Sequence, residues 1–150
     1  VAERVAIVGS REGADLDHVE SFVRELWNRH PGTILVSGGA RGVDTVAEKL
    51  WLSFGGRVES YRPVKKGESW AVEKWELGGE QPRVYLLVNE PTWENYKSAA
   101  TYRDILIADA ADRVIAFMRS GGSRGAGFTA TMGEAYDKYV RRYEARRAAA

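Results

Sequence analysis

Three loops of this chain combine glycine with arginine in a pattern suited to holding an anion. They are Gly9-Ser10-Arg11, Ser37-Gly38-Gly39-Ala40-Arg41-Gly42, and Gly121-Gly122-Ser123-Arg124-Gly125, the last followed by Thr129. Glycine lets a backbone approach a phosphate, and the first N–H groups of a following helix point at it with the helix dipole behind them. An arginine in the same loop adds a charge-assisted hydrogen bond. A tight strand-to-helix turn accounts for any one such loop without a ligand. Three together are hard to explain by turn chemistry alone. The predicted ligand-binding residues are Gly9, Ser10, Arg11, Ser37, Gly38, Gly39, Arg41, Gly42, Gly122, Ser123, Arg124, Gly125 and Thr129, and the predicted ligand is a nucleotide or another phosphate-bearing molecule, with no cofactor required.

The familiar phosphate motifs do not fit. Gly122 to Thr129 has Walker-like glycine spacing, but Phe128 stands where a P-loop needs lysine. The first loop lacks the Gly-x-Gly-x-x-Gly of a dinucleotide dehydrogenase. Asp44 has three readings: a ligand contact, a general base, or a helix-start residue. The two histidines, His18 and His30, sit near a helix start and a helix end and read as solvated or capping residues. The chain has no cysteine, which excludes disulfides, thiolate metal sites and a cysteine nucleophile and fits a reducing cytoplasm. No metal site is predicted.

These loops need strands before them and helices after them. Val5 to Val8 reads as a buried strand, followed by a helix with Leu16, Val19, Val23, Leu26 and Trp27 on its apolar face. Thr33 to Val36 is a second strand, and Val43, Val46, Ala47, Leu50, Trp51 and Phe54 form a helical stripe after it. Arg57 to Tyr61 and Arg113 to Met118 read as strands, and Trp93 to Ala111 as a helix. A final helix is predicted from Met132, Ala135, Tyr136, Tyr139, Val140 and Tyr143, with Arg141 to Ala150 as its frayed end. Lys65 to Pro91 reads as a hairpin-like excursion with Val84 to Val88 as a strand; its Trp70 and Trp75 read as a local core. Alternating strands and helices predict an α/β, Rossmann-like three-layer fold. Its mainly parallel sheet has about five strands and helices on both faces. Every strand-to-helix loop then opens on the carboxyl edge, so the three loops gather at one end.

At 150 residues the chain is most simply one domain, 1–150, with the excursion at about 65–91. Its 44% hydrophobic and 29% charged residues are those of a globular protein. No segment approaches membrane-spanning length, and the expected location is cytoplasmic. The net charge is +1, so no global basic field points to nucleic acid, which is expected to be an unlikely partner. A homodimer is expected, with the Trp-rich excursion as a candidate interface.

Val8-Gly9-Ser10-Arg11, Val36-Ser37-Gly38-Gly39-Ala40-Arg41-Gly42-Val43-Asp44, Tyr102-Arg103-Asp104, Ala111-Asp112-Arg113-Val114-Ile115-Ala116-Phe117 and Ser123-Arg124-Gly125 together carry a resemblance to the SLOG superfamily. That group includes the DNA-processing protein DprA/Smf and the LOG-type nucleoside-monophosphate phosphoribohydrolases; the likeness is closest to its YspA-like branch. The resemblance implies a Rossmann-like fold that binds nucleotides or nucleotide-derived ligands. In LOG enzymes an arginine on the helix before the last strand and a glutamate just after a Pro-Gly-Gly-x-Gly-Thr loop carry hydrolysis. Arg103 matches the arginine. Here Met118-Arg119-Ser120 replaces the proline context, Ala126 stands at the threonine, and Glu134 falls about one helical turn late, with Thr131 nearer the expected position. Binding is therefore the leading expectation and N-glycosidic hydrolysis the alternative, with Arg103, Asp44 and Glu134 as its candidate catalytic residues and Asp104 as a further acid. A structural or partner-binding domain is the third reading.

Overall fold

A computed structural model describes residues 2–79, 83–86 and 92–146 of the chain. The first half alternates regularly: β1 (Arg4–Gly9), α1 (Leu16–Arg29), β2 (Ile34–Ser37), α2 (Val43–Ser53) and β3 (Arg57–Lys66). Two antiparallel strands follow, β4 (Ser69–Leu77) and β5 (Arg83–Leu86), then α3 (Tyr96–Ala110), β6 (Arg113–Met118), α4 (Arg124–Ala135) and β7 (Tyr139–Glu144). They form one seven-stranded sheet in the order β5-β4-β3-β2-β1-β6-β7. β3, β2, β1, β6 and β7 run parallel, and β4 and β5 extend the sheet antiparallel beyond β3. This is the expected α/β Rossmann-like architecture, with two more strands than the sequence suggested.

The central strands β1, β2 and β6 are apolar along Val5–Val8, Ile34–Val36 and Val114–Met118 because both sheet faces are covered. Along β1, Val5 and Ile7 join one core with Val19 and Val23 of α1 and Ala47 and Trp51 of α2. Ala6 and Val8 point the other way, into a second core with Ile107 of α3 and Ala126 and Ala130 of α4. Strand alternation thus sends one short sequence into two cores and fixes α1 and α2 on one face, α3 and α4 on the other. Asp15 caps α1, its side chain accepting from the His18 N–H. His18 packs edge-on against Phe117 and Tyr143, a partly buried position rather than a solvated one.

The predicted last helix is corrected. α4 stops at Ala135, and Asp137 adopts a positive φ of 60° that turns the chain back. Lys138 then anchors the turn, its N–H donating to the Gly133 carbonyl and its Nζ to the carbonyls of Asp109 and Ala111. Tyr139–Glu144 pairs with β6 instead of continuing the helix. Val140 packs on the α3/α4 core and Tyr143 on the α1/α2 core. Residues three apart share a helix face but lie on opposite faces of a strand, so only a strand serves both cores. Ala145 and Arg146 follow without regular structure, and 147–150 lie outside the described residues.

The excursion is a hairpin, as expected, but β3 runs five residues beyond the predicted end at Tyr61 to pair with β4 along its length. Of the strand predicted over Val84 to Val88, Arg83–Leu86 is described as β5; residues 80–82 and 87–91 lie outside the described residues. A two-bond bridge between Trp70 and Trp93 ties the start of β4 to the segment before α3.

Candidate functional site

The strand order reverses between β1 and β6, and a crevice opens there at the carboxyl edge. The walls of this cleft come from the loops after β1, β2 and β6 and from the amino-terminal half of α3. Its volume is about 700 Å³. That is within the usual range for a small-molecule site.

Ser10 stitches the loops together. Its N–H donates to the Phe117 carbonyl at 3.0 Å, its hydroxyl accepts from the Arg119 N–H at 2.8 Å, and its carbonyl accepts from the Val43 N–H at 3.4 Å. Gly9 makes this possible: a Cβ there would collide with the Phe117 carbonyl and lie 2.5 Å from Cγ2 of Val43. Chain segments more than a hundred residues apart thereby share one rim.

The floor is a buried charged cluster. Arg103 is 7% exposed. Its Nη1 donates to the Gly38 carbonyl at 2.8 Å and its Nε to Asp104 Oδ1 at 2.7 Å. Asp44 accepts from the N–H groups of Gly38 at 3.1 Å and Ala40 at 3.4 Å. The N-cap of α2 is Gly42, so Asp44 organises the loop from inside the first helical turn rather than capping it. Burial pushes the Asp44 carboxyl up to about 7, against the opposing pull of the Arg103 charge and the Ala40 N–H. Burial also raises Asp104, again against Arg103 and with Thr129 beside it.

Of the predicted residues, Gly9, Ser10, Arg11, Arg41, Asp44, Arg103, Ser123, Arg124, Gly125 and Thr129 line the cleft. Ser37, Gly38, Gly39, Gly42 and Gly122 do not. Ser37 is buried with its hydroxyl accepting from the Gly39 N–H, Gly39 packs on Arg62, and Gly42 packs on the carbonyls of Ser10 and Arg11. The Gly122 carbonyl accepts from Arg119 Nε at 3.1 Å. Glu134 is away from the cleft, paired with Arg142 of β7. The turn that brings β7 back beside α4 sets Glu134 apart from the residues that line the cleft. Arg103, matched from sequence to the hydrolytic arginine, lies in the cleft floor.

The polar and charged lining residues missed are Glu12, Tyr96, Lys97, Thr101 and Arg119. Tyr96 and Lys97 begin α3 shortly after the hairpin excursion, and the sheet topology brings that helix start to the carboxyl edge. Arg119 immediately follows β6 and carried the same loop signal as Arg124.

Rim electrostatics differ from those of the whole chain. Six cationic side chains line the cleft (Arg11, Arg41, Lys97, Arg103, Arg119 and Arg124) against three carboxyl groups, Glu12, Asp44 and Asp104. Arg41 pairs with Glu12 at 3.0 Å, both well exposed. Arg11 donates to the Tyr96 hydroxyl, with its guanidinium 5.5 Å from that ring's centroid. Among the described residues, the Arg124 side chain has no hydrogen-bond or ion-pair partner. Among them, too, no helix is long and apolar enough to cross a membrane and no cluster of His, Asp and Glu is arranged to hold a metal.

A mainly parallel sheet with glycine- and arginine-bearing loops over its switch point defines a Rossmann-like fold with a cleft lined by cationic side chains. Residues 1–64 match the family model of DNA recombination-mediator protein A. The fold is similar to that of DNA processing protein A (DprA) from Streptococcus pneumoniae, with a TM-score of 0.69 and 22% identity over 94% of this chain and 50% of that one. It is also similar to DNA processing protein A from Helicobacter pylori, with a TM-score of 0.64 and 22% identity over 93% of this chain and 64% of that one. The Moco carrier protein from Chlamydomonas reinhardtii gives a TM-score of 0.62 and 15% identity over 95% of this chain and 76% of that one. This chain therefore spans half the length of the pneumococcal protein and under two thirds of the Helicobacter one. No curated protein matches it in sequence. These likenesses support the SLOG superfamily resemblance.

They also overturn the expectation that nucleic acid is an unlikely partner. The matching family model is that of a DNA recombination mediator, and the Helicobacter protein is described by its single-stranded DNA binding mode. The expectation rested on a net charge of +1, which averages over the whole surface. What a polyanion meets is the local field, and here the cations gather at one cleft.

Proposed function

We propose that the cleft binds a nucleotide through its phosphate, either a free nucleotide or a nucleotide unit of single-stranded DNA. The observation that carries this reading is Arg124. It opens α4 at the cleft wall, exposed and unpaired among the described residues, with Arg119 and the first N–H groups of α4 beside it. An unpaired guanidinium at a helix start is ready for a phosphate without first breaking an ion pair. Calorimetric titration with nucleoside monophosphates, ADP-ribose, cyclic nucleotides and a short oligothymidylate tests the reading. Binding should weaken with added salt, most steeply for the oligonucleotide. Failure of all these anions to bind sinks it.

The second reading is N-glycosidic hydrolysis of a nucleoside monophosphate. It is favoured by one observation: Arg103, Asp44 and Asp104 form a carboxyl–guanidinium cluster that lines the same cleft. Asp44, with its carboxyl raised to about 7, has a protonation equilibrium suited to general acid–base work near neutral pH. Release of free base that is lost in Asp44→Asn and in Arg103→Lys would establish it. Arg103→Lys is preferred to Arg103→Ala because it keeps a buried cation between the carboxyl groups.

A further inference from the structure

The cleft has an aromatic wall that its phosphate chemistry does not use. Tyr96 is the first residue of α3, 37% exposed, and its ring lines the cleft next to Lys97. The ring is held from behind. Trp70 meets it edge to face, with centroids 5.3 Å apart, and Trp70 is itself fixed by two backbone hydrogen bonds to Trp93, at 2.7 and 2.8 Å. Asn95 caps the helix start by accepting from the Ser98 N–H at 2.9 Å. The ring therefore stands on a helix start and on the β3–β4 hairpin together, although hairpin and helix are separated in sequence.

The Arg11 guanidinium lies 5.5 Å from this ring's centroid and donates to its hydroxyl. A cation held over an exposed tyrosine is weakly bound. A nucleobase stacks on such a ring more strongly, whatever its sequence identity, because every base has a π-face. Displaced, Arg11 remains on the rim with its charge available to a phosphate.

We infer that Tyr96 is the stacking platform for the base of the bound nucleotide, and that the cleft therefore selects an unpaired base with an accessible face. This inference rests on the nucleotide reading above. It also gives the hairpin excursion a role: Trp70 at the start of β4 buttresses the platform.

The test compares thymidine 5′-monophosphate with 2-deoxyribose 5-phosphate, the same ligand without its base, on wild type, Tyr96→Phe and Tyr96→Ala. Wild type should bind the nucleotide roughly 5- to 100-fold more tightly than the sugar phosphate. Tyr96→Phe, which keeps the ring and loses only the hydroxyl, should retain that preference. Tyr96→Ala should lose it while keeping its affinity for the sugar phosphate. A short oligothymidylate should bind wild type more tightly than the same strand in a duplex, and Tyr96→Ala should narrow that gap. Equal affinity of wild type for the two small ligands overturns the stacking and leaves phosphate binding intact, as does a base preference that survives in Tyr96→Ala. Absence of binding by every ligand overturns the nucleotide reading and this inference with it.

Discussion

Arg103 Nη1 donates to the carbonyl oxygen of Gly38 at 2.8 Å, joining the middle of α3 to the loop after β2 across 65 positions of sequence. The same guanidinium binds Asp104 and faces Asp44, so one buried cation holds a loop and two carboxyl groups together. Arg103→Ala should cost about 3–5 kcal/mol of stability, the usual consequence of removing one partner from a buried ionic cluster. Denaturant unfolding at pH 8, where the carboxyl groups are most fully charged, is the measurement. A loss below about 1 kcal/mol would mean that solvent reaches the cluster freely.

Gly38→Ala should be destabilising by a different route. A Cβ there would lie 2.9 Å from both Arg103 Nη1 and Asp44 Oδ2, tighter than ordinary contact allows. Forced rearrangement of a packed site costs about 1–3 kcal/mol. The variant should also bind nucleotide more weakly, because the shifted loop carries Arg41.

Asp44 should make stability depend on pH. Its folded-state carboxyl is raised by burial from 3.8 to about 7. Between those values the folded state holds a proton that the unfolded state has released, so stability falls as pH rises through that window and is flat above it. Asp44→Asn keeps an oxygen acceptor for the Gly38 and Ala40 N–H groups and cannot ionise. Its melting temperature should decline less than that of wild type from pH 5 to pH 7.5. Parallel Tm profiles for the two proteins would remove Asp44 as the titrating group.

Arg124→Ala should weaken nucleotide binding by about tenfold to a hundredfold, the loss of one hydrogen bond to a charged group, at about 1.5–3 kcal/mol. Its thermal stability should hardly change, since the side chain is exposed and unpaired among the described residues. Arg41→Ala should have a smaller effect, because Arg41 must leave Glu12 to reach an anion. Arg142→Ala is the control: Arg142 pairs with Glu134 outside the cleft and should leave affinity untouched.

Ser10→Ala should lower stability by about 1 kcal/mol, the net contribution of an ordinary hydrogen bond, because the Arg119 N–H loses its acceptor. For a domain of this size that is a fall in Tm of about 2–4 °C. Lower stability with an unchanged nucleotide affinity would identify Ser10 as the stitch between loops rather than a ligand contact.

Much of the fold was legible because its signals are local. Val5–Val8 and Arg113–Met118 are apolar at nearly every position, as strands buried on both faces must be, and the stripe from Val43 to Phe54 has a clear helical period. Glycine and arginine in the three loops then followed directly from the chain. Val140 and Tyr143 misled because a period of three to four and a period of two both fit so short a stretch. The choice was made by two cores lying on opposite sides of the sheet, and by the positive φ at Asp137.

By itself the sequence determined that strands alternate with helices and that cationic glycine loops follow strands. Tertiary structure decided which of those side chains meet. Ser37, Gly38, Gly39, Gly42 and Gly122 shape the loops from behind, whereas Arg11, Arg41, Ser123, Arg124, Gly125 and Thr129 line the cleft. Glu134 was carried away by the turn into β7, and Tyr96 and Lys97 were brought in by α3. The physical reason is that loop chemistry depends on a few neighbouring residues. The facing of side chains across a cleft depends on strand order, which is set by contacts between residues far apart in the chain, such as Ser10 with Arg119 and Gly38 with Arg103.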